Sequence, residues 1–125
     1  VAITPPYISD SALPHASAYR EFRGYRGGNV ILVNGGISFD LVSAAAKRTF
    51  VIVWRGLTTA QKATINAAFD SFSTGAKPFR PPADAAVSNI SVTWSDQQVE
   101  LEWESTSVGG GTTLLWETTM MLREV

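Results

Sequence analysis

Five consecutive residues, Phe50-Val51-Ile52-Val53-Trp54, are aromatic or β-branched with no polar position among them, and this run constrains the fold more than any other feature of the chain. Residues of these types favour strands. Side chains alternate between the two faces of a strand, so both faces of this one are apolar. A strand tolerates that only where other parts of the structure, or a partner, cover both sides. The run is therefore expected at the centre of a sheet.

The segments that could surround it follow in both directions. Asn29–Val33 and Ile37–Leu41 flank Asn34-Gly35-Gly36, and Asn-Gly supplies the positive φ values of a tight primed turn, so the two runs predict an antiparallel hairpin. Residues 42–49, with three alanines and the basic pair Lys47-Arg48, lack strand character and are expected as a loop or short helical turn. Ile90, Val92 and Trp94 alternate with polar residues. After Asp96-Gln97-Gln98, Val99, Leu101 and Trp103 alternate with Glu100, Glu102 and Glu104, which predicts a second hairpin with one wet face. Val108-Gly109-Gly110-Gly111 should make a mobile loop, and Leu114–Glu124 the last strand.

One helix is expected. Thr58 and Gln61 have the spacing of a capping box, helix-forming residues continue to Phe72, and Gly75 is expected as a left-handed cap. Ile65, Phe69 and Phe72 share one face with Ala68, while Lys62, Asn66 and Asp70 point elsewhere. Lys77–Pro82 carries three prolines and is expected as an extended connector anchored by Phe79, neither helix nor central strand. Residues 1–28 read as an extended arm broken by Pro5, Pro6 and Pro14. Its large residues Tyr7, Ile8, Leu13, Tyr19, Phe22 and Tyr25 should pack on this domain or on a neighbour, and removing residues 1–18 is expected to leave the domain folded while blocking assembly.

At 125 residues the chain fits a single domain. A net charge of -1 lacks the basic excess of a surface that grips phosphates, so nucleic acid is not expected as a tight ligand. There is no cysteine, which excludes disulfides, thiolate zinc sites and a cysteine nucleophile. No segment reaches the roughly 18 apolar residues of a membrane span, and the amino-terminal residues do not read as a signal peptide, so a soluble protein with no membrane partner is expected.

Nothing in the residues reads as an active site, and no enzyme and no cofactor is expected. The single histidine, His15, lies in a proline-flanked arm without the supports of a triad or a metal cluster. Glu100, Glu102 and Glu104 are spaced for one strand face at about 7 Å intervals, not for convergence across a cleft. Gly24-Tyr25-Arg26-Gly27-Gly28 lacks both the following helix and the Gly-Lys-Ser/Thr ending of a phosphate loop. Trp54, Trp94, Trp103 and Trp116 each fall in register with the apolar residues of their strands and are expected in the core.

The order of events after residue 50 carries a resemblance. A strand ending Trp54-Arg55-Gly56-Leu57-Thr58 is followed by a helix closing near Phe69-Asp70-Ser71-Phe72 and Gly75, then Lys77-Pro78-Phe79 with Pro81-Pro82, two tryptophan-bearing strands, and a final strand ending Leu122-Arg123-Glu124-Val125. This resembles the small minor tail and distal tail proteins of long-tailed bacteriophages, which share the tail-tube fold. The likeness spans about three fifths of the chain and rests on short motifs. Before residue 50, where those proteins often carry a Gly-Asp-Gly-Tyr-like turn, only Gly24-Tyr25 matches.

The resemblance implies a mainly β fold, an antiparallel β-sandwich or barrel with one packed α-helix (tail-tube-like). It implies a structural virion protein of the tail, assembled in the host cytoplasm. Its partners would be copies of itself, joined edge to edge as a ring expected to be a hexamer, and other phage tail proteins. DNA would pass through the ring without specific binding. On this reading Glu100, Glu102 and Glu104 face either the lumen, where carboxylates repel phosphates, or bulk solvent on the outside, and Tyr7, Tyr19, Phe22, Lys47 and Arg48 belong to subunit interfaces. The rival from another class is a monomeric carbohydrate-binding β-sandwich module, which would have to present two or more tryptophans on an open face.

Overall fold

The computed structural model describes residues 3–24, 27–31, 37–41, 47–85, 87–95 and 100–125. Among the described residues the fold is mainly antiparallel β with a single packed α-helix. In chain order the strands are β1 (Tyr7–Ile8), β2 (Ser11–Ala12), β3 (Ala18–Gly24), β4 (Gly27–Ile31), β5 (Ile37–Leu41) and β6 (Lys47–Leu57). Helix α1 (Thr59–Asp70) and a 3-10 turn at Ser71–Thr74 follow, and then β7 (Lys77–Arg80), β8 (Ile90–Trp94), β9 (Glu104–Val108) and β10 (Thr113–Glu124). The main sheet runs β2-β1-β7-β8-β10-β6-β3, with β9 added alongside β10. β4 and β5 form a separate two-stranded ribbon.

The Phe50–Trp54 run lies in β6, which is paired along both edges, by β10 on one side and β3 on the other. Phe50, Ile52 and Trp54 face inward and are fully buried, and Val51 on the opposite face is 3% exposed. Between Trp116 and Thr118 of β10 the register against Leu57 and Trp54 slips by one residue. The extra residue sits at Arg55-Gly56, where Gly56 has φ 69°, and this bulge lets Trp54 and Leu57 both point into the core although three positions separate them. The sheet is strongly curled. β7 and β6 stand about 14 Å apart across a flat sheet, yet the rings of Phe50 and Phe79 have centroids 5.0 Å apart.

The hollow of that curl is the core. Ile8, Leu13, Phe50, Ile52, Trp54, Leu57, Phe79, Val92, Met120 and Leu122 line it, and Ile65, Phe69 and Phe72 close it from the helix side. Each such side chain contributes roughly 1.5–3 kcal/mol by leaving water. The capping box forms as the spacing predicts: the Thr58 hydroxyl accepts from the Gln61 N–H at 3.3 Å, and the Gln61 side-chain oxygen accepts from the Thr58 N–H at 2.9 Å. The helix gives way to the 3-10 turn at Ser71, and Gly75 has φ 131° and ψ -174°, so it is an extended mirror-image corner and not the left-handed helical cap expected.

Four further expectations are corrected. Lys47, Arg48 and Thr49 are not loop but the first residues of β6, held by pairing with Gly24, Arg23 and Phe22; cross-strand partners override their weak local preference. Lys77–Arg80 is an interior strand, paired with β1 and β8. Pro78 is tolerated because its carbonyl, and hence its missing N–H, faces the short β1, where the Ser9 N–H donates to that carbonyl at 2.9 Å.

The second predicted hairpin does not form. Both edges of β8 are taken, by β7 and β10, so residues 100–103 have no strand to join and run outside regular structure. The hairpin at this end is β9–β10, turning through Gly109, Gly110 and Gly111, which all have positive φ. Finally, the amino-terminal segment is part of the fold. Ile8 and Leu13 are 2% and 4% exposed, β3 pairs with β6 over seven residues, and the Pro14 carbonyl accepts the Trp54 indole N–H at 2.8 Å. Such packing does not fit an arm that can be removed without unfolding.

The β4–β5 pairing matches the predicted first hairpin, from Gly27 opposite Leu41 to Ile31 opposite Ile37. Its Asn34-Gly35 turn lies outside the described residues, as do Val99, Tyr25 and the Asp96-Gln97-Gln98 turn.

Candidate functional site

The tryptophans decide what kind of surface this molecule offers. Trp54 is fully buried and the other three are half-buried against the core. Three indole N–H groups are spent on the helix: Trp94 donates to the Phe69 carbonyl at 3.0 Å, Trp103 to the Asn66 side-chain oxygen at 2.9 Å, and Trp116 to the Thr59 hydroxyl at 3.4 Å. Lys62 lies 3.6 Å from the Trp116 ring centroid and 5.5 Å from that of Trp103. Lys62 and Asn66, expected to point away from the sheet, therefore fasten the helix to these two rings. No tryptophan is laid out on an open face as a sugar platform requires.

Among the described residues no group of three or more histidine, aspartate or glutamate side chains is placed to hold a metal ion. His15 sits in a shallow hollow with Thr4, Ser17, Tyr19 and Asp84.

The surface that remains is strand edge. Among the described residues, β3 pairs only with β6 and β9 only with β10, which leaves one edge of each with unpaired main-chain donors and acceptors. These two open edges flank the four-stranded stretch β9-β10-β6-β3 on opposite sides. The registers place Arg20 of β3 on the sheet face that carries Val51 and Val53, with Phe22 beside it, half-exposed, 5.3 Å beneath the Arg20 guanidinium. On the same face at the other edge, Glu104 stands directly opposite Glu117. These two, with Glu102 and Arg55, rim a cleft floored by Val53, Thr118 and Thr119. The Thr118 hydroxyl fixes the approach to β9 by donating to the Glu102 carbonyl at 2.6 Å.

Of the residues singled out in the sequence, Glu102 and Glu104 come together at this cleft, but not as the wall of one strand. Only Glu104 lies in a strand, and Glu100 and Glu102 precede it in irregular chain, so the spacing that would align all three carboxylates is absent. Tyr19, Phe22, Lys47 and Arg48 cluster at the β3–β6 end, whereas Tyr7 lies on β1 under the Arg80 guanidinium, 4.4 Å from its ring. Arg48 binds Glu124 with two side-chain N–H groups at 3.3 and 3.2 Å, and Lys47 donates to the Val125 carbonyl at 3.2 Å. The Arg48 hydrogen bond holds the Glu124 carboxyl below its ordinary range against the opposing effect of burial. Burial pushes the Tyr19 phenol up, with the Glu21 carboxylate adding to the rise.

Residue-by-residue reading missed Arg20, Arg23 and Glu117. For the two arginines no local signal was available: Tyr19-Arg20-Glu21-Phe22-Arg23 spaces its apolar residues three apart, not two, inside a segment whose prolines and glycines suggested irregular chain. No protein-family model matches this chain, and no curated protein is similar enough in sequence to be counted a relative.

Proposed function

We propose that this chain is a structural component of a bacteriophage tail, part of the tube, the hub or the distal-tail ring, that assembles with copies of itself into a ring around the DNA channel and catalyses nothing. The reading rests on the resemblance in element order after residue 50 and on one observation of the fold. Among the described residues, β4 and β5 pair only with each other, although their sequence, from Asn29-Val30-Ile31 to Ile37-Ser38-Phe39, is rich in apolar residues. A two-stranded ribbon is marginal in water by itself. Such an element is a liability in a monomer and an asset where neighbours cover it.

Electron microscopy of the purified full chain over a wide concentration range, with light scattering for mass, tests this. Annular particles of uniform subunit number with an open centre are the expected result, and six copies are expected. A protein that remains monomeric at all concentrations overturns the reading.

A further inference from the structure

The two open edges of the β9-β10-β6-β3 stretch differ in charge. The β3 edge carries Arg20 and Arg23 with one carboxylate, Glu21, between them, and Lys47 and Arg48 of β6 stand directly opposite Gly24 and Arg23. The β9 edge begins at Glu104, with Glu102 before it and Glu117 opposite. Among the described residues none of Arg20, Arg23, Glu102, Glu104 and Glu117 is in an ion pair. Arg20, Arg23, Glu102 and Glu104 are all exposed.

We propose that β3 of one copy adds to β9 of the next, antiparallel, with Arg20, which shares a sheet face with Glu104 and Glu117, meeting the Glu102, Glu104 and Glu117 cleft and Arg23 adding positive charge to the edge from the opposite face. This rests on the ring reading above and specifies the contact that would build the ring. Direction supports it. β3, β6, β10 and β9 alternate in direction across the stretch, so β3 and β9 already run opposite ways, and a rotation that keeps strand directions brings them together antiparallel. The join continues the ladder and satisfies main-chain groups that each edge leaves unpaired. Net charge favours this joint. A two-fold contact of β3 with β3 brings together two edges of net positive charge, and β9 with β9 two acidic edges; like charge opposes pairing. The head-to-tail contact brings opposite net charges together, and head-to-tail contacts make rings when the rotation closes. Glu102 and Glu104 thereby belong to a joint between copies, not to the lumen.

Two charge-reversed variants of the full chain test the contact: Arg20→Glu with Arg23→Glu, and Glu102→Arg with Glu104→Arg. Thermal melts confirm that each is folded, and analytical ultracentrifugation reads assembly. Each variant alone should lose assembly at least tenfold in midpoint concentration. Mixing the two one-to-one should restore it, because every joint in an alternating ring then pairs opposite charges. The single chain carrying all four substitutions should also assemble, whereas a two-fold β3–β3 contact would leave that chain monomeric. If wild type assembles and neither variant weakens it, or the fourfold chain stays monomeric while folded, the β3–β9 contact is wrong and the ring reading stands. If wild type does not assemble, the ring reading itself fails and the contact with it.

Discussion

The indole N–H groups of Trp94, Trp103 and Trp116 and the main-chain N–H groups along the outer edges of β3 and β9 are similar donors, yet among the described residues the first set is used and the second is not. On the helix side the indole N–H groups of Trp94, Trp103 and Trp116 each have a partner on α1, and a cation rests on two of the rings. At the edges, charged side chains stand in the open beside unpaired backbone. The difference separates stability from association. The closed side can lose little without unfolding, whereas the edges can change without harm to the monomer.

The sharpest way to break this comparison is to remove residues 1–16. Ile8 and Leu13 would leave the core, each carrying roughly 1.5–3 kcal/mol, and the Trp54 indole would lose the Pro14 carbonyl. The truncated chain should show no cooperative melt and no near-ultraviolet signal from fixed tryptophans. A native signal would place the segment among the dispensable edges. Next in size, Phe69→Ala opens a cavity under α1 and should cost about 3–5 kcal/mol, read by denaturant unfolding. A cost below about 1 kcal/mol would mean that the helix does not hold the closed side together.

The smallest effect belongs to the β3–β6 end. The side chains of Arg48 and Glu124 are 35% and 20% exposed, so solvent screens the pair and Glu124→Gln should cost only about 0.2–1 kcal/mol at neutral pH. The sign with pH is fixed. Glu124 titrates lower in the folded chain than in the unfolded one, so its contribution is complete above the unfolded value and is lost as pH falls through the folded one. Wild type and Glu124→Gln should therefore converge in acid. A difference that grows on acidification would contradict the ion pair.

Much of the closed side was legible from sequence because its signals are local. The capping box needs only Thr58 and Gln61, the helix face only the spacing of Ile65, Phe69 and Phe72, and the central strand only the run Phe50–Trp54. The edges were harder to read. Whether Leu101 and Trp103 enter a strand depends on whether β8 still has a free edge, and β7 and β10 have taken both. Likewise Lys47-Arg48 becomes strand only because β3 lies beside it. Residues whose conformation is set by a neighbour far away in the chain carry little local trace of it.

β10 is shared by three partners, with β6 along one side and β9 and β8 in turn along the other, and most of these contacts join residues far apart in sequence. During synthesis β6 leaves the ribosome well before β10, with Phe50, Ile52 and Trp54 uncovered and an edge open until Leu122, Met120 and Thr118 arrive opposite them. Non-local pairing of this kind slows folding and lengthens the interval in which sticky strands are exposed. The chain is therefore most vulnerable to aggregation before β10 is in place, and slowing synthesis just upstream of Thr113 should lower its soluble yield more than slowing it anywhere in the helix.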